Sequence, residues 1–391
     1  MLRIIKYFNR IIVALVFLIQ FGCLAQSSDQ PKIITGAEQL DQILPVLNGK
    51  SVALLVNHTS MIGQTHLLDT LLSHNVSIKT VFAPEHGFRG DLANGEKVFD
   101  ETDQVTGLPI VSLYGKKVKP TAKQLEGIDI VVFDIQDAGV RFYTYISSMH
   151  YMMEACAEQN IEFMILDRPN PNAHYIDGPV MEPQYTSFVG LHPIPIVYGT
   201  TLAELARMIK GEGWIDTADQ LKLKIIPLKN WTHQTPYSLP IKPSPNLPNE
   251  QSIALYPTLG LFEGTNVSMG RGTPFPFQVI GFPDSTFGNF EFIPRSIPEA
   301  SKYPKHEDRV CFGQDLRAIK ASSGIDLNYL LTFYQKSSAK EEFFNSFFTN
   351  LAGTKRLRRQ IEDGLTEDEI KASWQDDLTA YKELRLKYLL Y

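Results

Sequence analysis

Ile78–Gly90, with the sequence IKTVFAPEHGFRG, is the stretch that decides how the chain folds and where its ligand binds. The largely apolar run up to Ala83 is typical of a buried strand. Pro84 should end that strand, because proline has no N–H to donate to a sheet. Glu85, His86 and Arg89 follow directly, at the edge where open α/β sheets bind ligands. An ordinary polar loop with a solvated salt bridge is the alternative interpretation.

Strands and helices alternate on both sides of this stretch. Five strands are predicted, at Ser51–Val56, Ser77–Ala83, Ile110–Tyr114, Ile128–Ile135 and Ile161–Leu166. Apolar strands separated by helices favour a parallel sheet that is covered on both faces, and therefore an α/β fold. The first strand–helix turn has no G-x-G-x-x-G motif, and the chain has no P-loop motif, which disfavours a dinucleotide or P-loop site.

Composition and a segment rich in turn-forming residues divide the chain into regions. The 391 residues are 43% hydrophobic and 20% charged with a net charge of −6, which is typical of a folded globular protein and does not favour a nucleic-acid partner. The segment Trp231–Pro248 is rich in Pro, Ser and Asn. It predicts a boundary between a parallel-sheet domain at residues 30–240 and a smaller α+β domain at residues 241–391.

Residues 1–25 have the pattern of a signal peptide. Arg3, Lys6 and Arg10 precede an apolar region that is too short to span a bilayer comfortably. Cleavage before Cys23 would leave a lipidated cysteine, whereas cleavage before Gln26 would release a soluble protein. Both alternatives predict export, to the periplasm or to a membrane anchor. No cysteine–histidine spacing indicates zinc, and no cofactor is predicted.

Polar side chains follow four of the predicted strands. They are Asn57 after the first strand, Glu85, His86 and Arg89 after the second, Gln136, Asp137, Arg141 and Tyr143 after the fourth, and Asp167, Arg168 and Asn170 after the fifth. The carboxyl ends of parallel strands share one edge, so these side chains should converge. Amides, carboxylates and tyrosine rings suit a polyhydroxylated ligand, and arginine can bind a carboxylate bidentately.

Structural roles for the same residues remain open. Asp167 with Arg168, and Asp137 with Arg141, equally fit ion pairs that hold loops together. His86 beside a carboxylate fits a metal ligand, but no second histidine has the i, i+4 spacing, which disfavours a metal.

A second polar cluster lies in the predicted C-terminal domain, at Phe262–Thr273, with the sequence FEGTNVSMGRGT. Glu263, Asn266 and Arg271 offer polar contacts, and the glycines let the backbone approach a ligand. The segment also fits a simple glycine-rich turn. Two polar clusters in two domains favour a cleft between the domains.

These motifs resemble a known family, the exo-β-N-acetylmuramidases of the NamZ type. The resemblance rests on Pro84–Gly90, Asp134–Tyr145, Asp167–Pro171, Glu263–Asn266, Gly270–Thr273, Trp374 and Arg385–Tyr391, and it covers essentially all of the chain after the predicted signal peptide. It implies a Rossmann-like N-terminal domain, a smaller C-terminal domain and a site in the cleft between them. It also implies release of N-acetylmuramic acid from the non-reducing end of peptidoglycan fragments, in cell-wall turnover or recycling.

The resemblance further implies that Glu85 is catalytic, and a general acid is the role that we expect for it. Glu263 or Asp137 would then be the second group, unless the acetamido oxygen of the substrate acts as nucleophile. A non-catalytic sugar-binding lipoprotein of the cell wall is the alternative function. An amidase is disfavoured, because the chain has no G-x-S-x-G elbow.

Overall fold

A computed structural model describes residues 31–85, 87–88 and 100–391. The predicted signal peptide, His86 and Arg89 lie outside these residues. Within the described part, Ile34–Tyr391 form one compact unit. No helix of these residues is both long enough and apolar enough to cross a membrane.

A seven-stranded sheet forms the centre of the N-terminal half. Its strands are β1 Ser51–Val56, β4 Ser77–Ala83, β5 Glu101–Thr102, β6 Pro109–Ser112, β7 Ile130–Asp134, β8 Glu162–Leu166 and β9 Lys222–Ile226, while β2 Met61–Ile62 and β3 Thr65–His66 form a separate hairpin. The order across the sheet is β5-β6-β4-β1-β7-β8-β9, and every pair except β5–β6 is parallel. Taken in chain order, the six parallel strands have the Rossmann order 3-2-1-4-5-6. This confirms the predicted parallel sheet.

The alternation of side chains along the strands produces a core on each face of the sheet. In β1, Ala53 and Leu55 contact one core, whereas Val52 and Leu54 contact the other. Both cores exclude water, which is why the strand is apolar at every position from Val52 to Val56 rather than at alternate ones. Helices cover the sheet, at α1 Leu40–Leu47, α2 Leu67–Ser73, α3 Tyr145–Glu158 and α4 Leu202–Gly211, with 3-10 turns at Gly36–Glu38, Ala122–Leu125, Pro183–Tyr185 and Ala218–Gln220.

The C-terminal half combines a small antiparallel sheet with helices, as the α+β prediction requires. The sheet has the order β10-β12-β11, with β10 Val279–Phe282, β11 Phe290–Phe292 and β12 Cys311–Asp315. The helices are α5 Glu250–Leu259, α6 Asn328–Lys336, α7 Lys340–Phe343, α8 Phe347–Ala352, α9 Arg356–Glu362, α10 Glu367–Ala372 and α11 Gln375–Leu386, with 3-10 turns at Gly260–Gly264 and Ser285–Phe287.

The register of the sheet decides where the polar strand ends meet. Leu55 of β1 pairs with Phe82 of β4 on one side and with Phe133 of β7 on the other. Asn57, Glu85 and Gln136 therefore lie beyond the carboxyl ends of three adjacent strands, at one edge of the sheet. The β1–β7 boundary is also where the strand order reverses, which is the usual ligand position in a doubly wound fold.

Candidate active site

A pocket of about 230 Å³ opens at this edge and is lined by both halves of the chain. Its described lining consists of Glu85, Tyr114, Phe142–Tyr145, Phe188, Val189, Ser244, Asn246, Leu247, Tyr256, Glu263, Arg271, Phe277, Phe347 and Leu351. Pockets that bury a whole drug-sized ligand typically measure about 300–1,000 Å³. The lining therefore suits a group the size of one sugar residue rather than a long stretch of glycan.

Glu85 lies on the pocket wall directly after β4 and is held through both carboxylate oxygens. Oε1 accepts a hydrogen bond from the Tyr114 hydroxyl at 2.8 Å, and Oε2 accepts one from Thr144 Oγ1 at 2.9 Å. Tyr114 follows β6, and Thr144 lies at the end of the loop between β7 and α3, so the segments after three different strands define the position of this carboxyl group. Burial and the Glu85 carboxylate raise the pKa of Tyr114 well above its usual value, so this phenol keeps its proton.

Glu263 and Arg271 form an ion pair in the pocket lining contributed by the C-terminal half. Arg271 Nη2 lies 3.0 Å from Glu263 Oε2, and both side chains are mostly buried. The guanidinium carbon lies 5.3 Å from the centre of the Phe277 ring, which adds a cation–π contact. Phe277 has a φ of 56°, in the left-handed region that bulky residues rarely adopt. Such strain is common at functional sites.

Contacting aromatic rings form a continuous part of the described pocket lining. Tyr256 makes edge-to-face contacts with Phe142 at 5.3 Å, with Phe277 at 4.8 Å and with Tyr143 at 6.2 Å. Burial raises the pKa of Tyr256 well above its usual value, and the charges of Glu263 and Glu85 both add to this rise. One phenol therefore lies within the electrostatic field of both pocket carboxylates. Rings of this kind pack well on the apolar faces of sugars.

Of the residues predicted from the strand ends, Glu85 and Tyr143 reach the described lining, while three others lie behind it. Asn57 is fully buried, and its Oδ1 accepts hydrogen bonds from Thr59 N and Oγ1 at 2.9 and 2.6 Å. Gln136 Nε2 donates to the carbonyl of Pro169 at 2.7 Å. Asp137 Oδ2 accepts from Gly139 N at 2.6 Å and from the Tyr198 hydroxyl. These side chains hold the loops that carry the pocket.

Asp137 is a buried carboxyl group with a raised pKa, and it lies outside the described pocket lining. Burial raises the pKa of its carboxyl group to about 6, although the hydrogen bonds from Tyr198 and Gly139 oppose this rise. Its side chain does not contribute to the described lining. As a second catalytic group, Asp137 is therefore less well placed than Glu263.

Neither of the two suggested ion pairs forms. Arg168 instead makes a bidentate contact with Asp134, at 2.5 Å from Nε to Oδ1 and 2.9 Å from Nη2 to Oδ2. Asp167 Oδ2 accepts a hydrogen bond from the Tyr391 hydroxyl at 2.8 Å, and burial raises the pKa of Asp167 to about 7. Asn170 Nδ2 donates to the carbonyl of Thr200 at 2.7 Å. Asp134, Asp167, Arg168 and Asn170 are all buried and are absent from the described pocket lining, so their contacts stabilise the loops at the sheet edge.

The position of Arg141 differs most from the prediction that its side chain converges with the others on the ligand site. Its guanidinium is buried and donates to three backbone carbonyls, with Nη1 at 2.9 Å from Pro179 O and 2.7 Å from Ile194 O, and Nη2 at 2.9 Å from Leu351 O. Burial lowers its pKa to about 9. Through these hydrogen bonds the side chain connects the N-terminal and C-terminal halves of the chain, and it does not line the described pocket. Asn266 is also absent from that lining, and its carbonyl accepts a hydrogen bond from His306.

Several residues of the described lining, among them Tyr114, Thr144, Ser244 and Asn246, were not predicted from the sequence. Tyr114 lies two residues beyond β6, so the strand-end rule that selected Glu85 also points to it. Thr144 lies between two tyrosines of a motif already singled out. Ser244 and Asn246 belong to the proline-rich segment that was interpreted as a boundary, and the Tyr143 hydroxyl holds that segment by donating to Pro243 O at 2.7 Å.

In the part of the chain that the structure describes, no group of three or more His, Cys, Asp or Glu side chains is arranged to hold a metal ion. Cys156 and Cys311 are both free and buried.

Comparison with known proteins identifies the class of protein first. The N-terminal family profile of the exo-β-N-acetylmuramidase NamZ matches residues 52–251, and the C-terminal profile matches residues 254–391. Both halves of the pocket thus belong to one kind of enzyme, a glycoside hydrolase. The chain belongs to the exo-β-N-acetylmuramidase NamZ family.

Individual relatives agree with this membership. The chain is 39% identical to the peptidoglycan β-N-acetylmuramidase NamZ of Bacillus subtilis (strain 168), over 94% of this chain and 93% of the relative. Two solved structures of DUF1343 family proteins from Bacteroides fragilis NCTC 9343 are also similar. One is 47% identical with a TM-score of 0.86, covering 92% of this chain and 99% of that one. The other is 30% identical with a TM-score of 0.79, covering 92% and 100%.

Proposed function

We propose that the protein is an exo-acting glycoside hydrolase that releases N-acetylmuramic acid from the non-reducing end of peptidoglycan fragments, in cell-wall turnover or recycling. The observation that carries this proposal is the placement of Glu85. Its carboxyl group lies on an aromatic pocket wall, and two hydroxyl groups hold its two oxygens. The pocket volume of about 230 Å³ fits the removal of one terminal sugar at a time.

Glu85 is the proposed general acid, which protonates the leaving oxygen of the glycosidic bond. Its partners suit this role, because a hydroxyl can donate to a carboxylate and can accept from a carboxylic acid. Tyr114 and Thr144 can therefore keep the carboxyl group in one position before and after it gives up its proton. A general acid that stays in place contributes to both steps of a two-step hydrolysis.

Glu263 is the proposed second group. Among the described lining residues, Glu85 and Glu263 are the two carboxylic acids, and they come from opposite halves of the chain. The ion pair with Arg271 holds the Glu263 carboxylate in the pocket lining, where a nucleophile or a general base would act. If the substrate's acetamido oxygen is the nucleophile instead, Glu263 would orient Arg271 and would not react itself.

Arg271 is the proposed determinant of sugar specificity. N-acetylmuramic acid differs from N-acetylglucosamine by a lactyl ether that bears a carboxylate, so a selective pocket needs a cation. A guanidinium can bind a carboxylate bidentately, and Arg271 lies in the described lining beside Glu263. The buried position of Arg141 leaves Arg271 as the candidate within the described lining.

The decisive experiment offers the purified protein a disaccharide with N-acetylmuramic acid at its non-reducing end, and measures free N-acetylmuramic acid by chromatography with mass detection. A disaccharide with N-acetylglucosamine at that end is the matched control. Release from the first substrate alone supports the proposal. Tight binding without release would instead support the non-catalytic sugar-binding alternative.

We also propose that the protein is exported and carries a lipid at Cys23. The supporting observation is the basic and apolar pattern of residues 1–25. Cys23→Ala should move the protein from the membrane fraction to the soluble fraction and abolish metabolic labelling with a fatty-acid analogue. An unlabelled but exported wild-type protein would favour cleavage before Gln26.

A further inference from the structure

The backbone segment that carries Glu263 turns its carbonyls towards one ammonium group. Lys305 Nζ lies 2.8 Å from the carbonyl oxygen of Phe262, 3.2 Å from that of Glu263 and 3.4 Å from that of Val267, and it also donates to the carbonyl of Thr265. One side chain thus contacts four carbonyls within six consecutive residues, Phe262–Val267.

The remaining carbonyls of the segment are held as well. His306 Nε2 lies 2.6 Å from the carbonyl oxygen of Asn266, and Asn345 N donates to the carbonyl of Gly264 at 3.0 Å. His306 adopts a φ of 60°, in the left-handed region, so the loop accepts backbone strain at this point. The conformation of the segment is therefore set by Lys305, His306 and the backbone of Asn345, none of which lines the described pocket.

The ligand set resembles that of a bound monovalent cation. An ammonium group has three hydrogens, so four carbonyls around it act partly as dipoles directed at a charge and not only as hydrogen-bond acceptors. Backbone carbonyl rings replace the hydration shell of K⁺ in the same way. Burial lowers the pKa of Lys305 to about 8, with the Arg271 charge acting in the same direction and the Glu263 carboxylate opposing it. At neutral pH the group remains mainly charged.

Glu263 connects this cage to the pocket. Its backbone carbonyl contacts Lys305, while its carboxylate accepts a hydrogen bond from Arg271. A shift of the segment would therefore move the ion pair in the pocket wall. An error of about 1 Å in the position of a catalytic group can cost about 10²-fold in rate.

We propose that Lys305 acts as an internal monovalent cation, a positioning residue that fixes the Glu263–Arg271 pair by binding the carbonyls of Phe262–Val267. Its effect on catalysis rests on the proposed function of that pair. The simpler view is that Lys305 only caps the C-terminus of the 3-10 turn Gly260–Gly264, as basic side chains often do at helix ends. A simple cap predicts lost stability but no response to a particular cation.

The test is chemical rescue of Lys305→Ala, in which the carbonyl cage loses its ammonium group. In choline chloride, kcat/KM for the muramyl disaccharide should fall about 10²-fold, mostly through kcat. Ammonium or potassium chloride at equal ionic strength should then recover most of this loss, and neither salt should accelerate the wild-type enzyme.

Lys340→Ala is the matched control, because Lys340 Nζ also binds backbone carbonyls, those of Tyr334 and Gln335, but these belong to a helix that contributes no residue to the described pocket lining. This variant should respond alike to ammonium and to choline. Near wild-type activity of Lys305→Ala in choline chloride would overturn the proposal, and so would a large loss that neither cation repairs.

Thermal unfolding gives a second measurement that does not need activity. A cation that binds the cage only in the folded protein should raise the Tm of Lys305→Ala above its value in choline chloride. If that variant does not fold, Lys305→Gln, which keeps two N–H donors but no charge, replaces it in the kinetic assay and should lose activity. Equal Tm values of Lys305→Ala in choline, ammonium and potassium chloride would contradict the proposal that these carbonyls bind a cation. Failure of the wild-type enzyme to release N-acetylmuramic acid would instead overturn the proposed function.

Discussion

Glu85→Gln is the most informative change to the proposed mechanism, because glutamine has nearly the same size and polarity but cannot protonate a leaving oxygen. Glutamine keeps one oxygen acceptor and replaces the other oxygen with an NH₂ donor. Tyr114 and Thr144 contact the two oxygens at 2.8 and 2.9 Å through hydroxyls, which can turn to accept from the new donor. The side chain should therefore stay in place, and sugar binding should survive.

The size of the loss follows from the chemistry of the leaving group. General acid catalysis typically contributes about 10²–10⁴-fold, or about 2.7–5.5 kcal/mol of transition-state stabilisation. A sugar hydroxyl is a poor leaving group and needs the full contribution, so turnover of the muramyl disaccharide should fall by this factor. An aryl muramide with an acidic phenol as leaving group needs less protonation and should lose much less.

Both substrates should be measured on the same Glu85→Gln preparation, with KM determined for each. Tyr114→Phe is the matched control, because it deletes one hydrogen bond to the carboxyl group and leaves the acid itself. Turnover of the disaccharide near the wild-type rate would remove Glu85 from the mechanism. An equal, large loss on both substrates would contradict the general-acid role and would indicate a nucleophilic or binding role instead.

Two further predictions concern specificity and stability. Arg271→Lys keeps the charge but loses the bidentate fork, so the preference for muramyl over glucosaminyl substrates should fall about tenfold to a hundredfold, the worth of one charged hydrogen bond of about 1.5–3 kcal/mol. Arg141→Lys should lower Tm and leave the preference for muramyl substrates unchanged. If Arg141→Lys changed this preference and Arg271→Lys only lowered Tm, Arg141 would be the specificity residue and Arg271 the structural one. Asp137 has a pKa raised to about 6, so the folded protein binds its proton more tightly than the unfolded chain does, and the free energy of unfolding should fall as pH rises from about 4 to 6. Asp137→Asn should therefore raise the free energy of unfolding at pH 7 by up to about 3 kcal/mol. It should also reduce the pH dependence of that free energy in urea titrations, but not abolish it, because Asp167 titrates in the same direction. An unchanged pH dependence would contradict the raised pKa of Asp137.

The sheet edge could be predicted from the sequence because its determinants are local. Continuous apolar runs specify strands that are buried on both faces, and the residues that follow such strands must lie at one edge when the strands are parallel. This argument correctly brought Asn57, Glu85 and Gln136 to the same edge. It needed neither the exact bounds of the strands nor the positions of the helices.

The direction of each side chain beyond the strand ends could not be predicted in the same way. Arg141 and Tyr143 lie two residues apart in an irregular loop, where no period of 2 or 3.6 relates sequence position to direction. The first binds carbonyls of distant segments, and the second lines the pocket. The acidic partner of Arg168 could not be predicted either, because Asp134 belongs to the neighbouring strand and not to the loop that carries Arg168.

Long-range packing also decides where helices stop. The pattern from Glu367 to Tyr388 predicts one helix, but the structure has two, Glu367–Ala372 and Gln375–Leu386. Trp374 between them is almost fully buried, with a φ of −115° that does not fit a helix. The burial of this large ring outweighs the local propensity to continue the helix.

The buried guanidinium of Arg141 has a consequence for the order of folding. Its three acceptors belong to Pro179, Ile194 and Leu351, and the last of them lies far beyond the strands of the parallel sheet in the sequence. A cation costs several kcal/mol to desolvate without its partners, so Arg141 should remain in water until the helix that carries Leu351 has docked. We therefore expect the parallel sheet to form first and the pocket to be completed only after it. A chain truncated before residue 351 should be structured but unable to bind muramyl sugars.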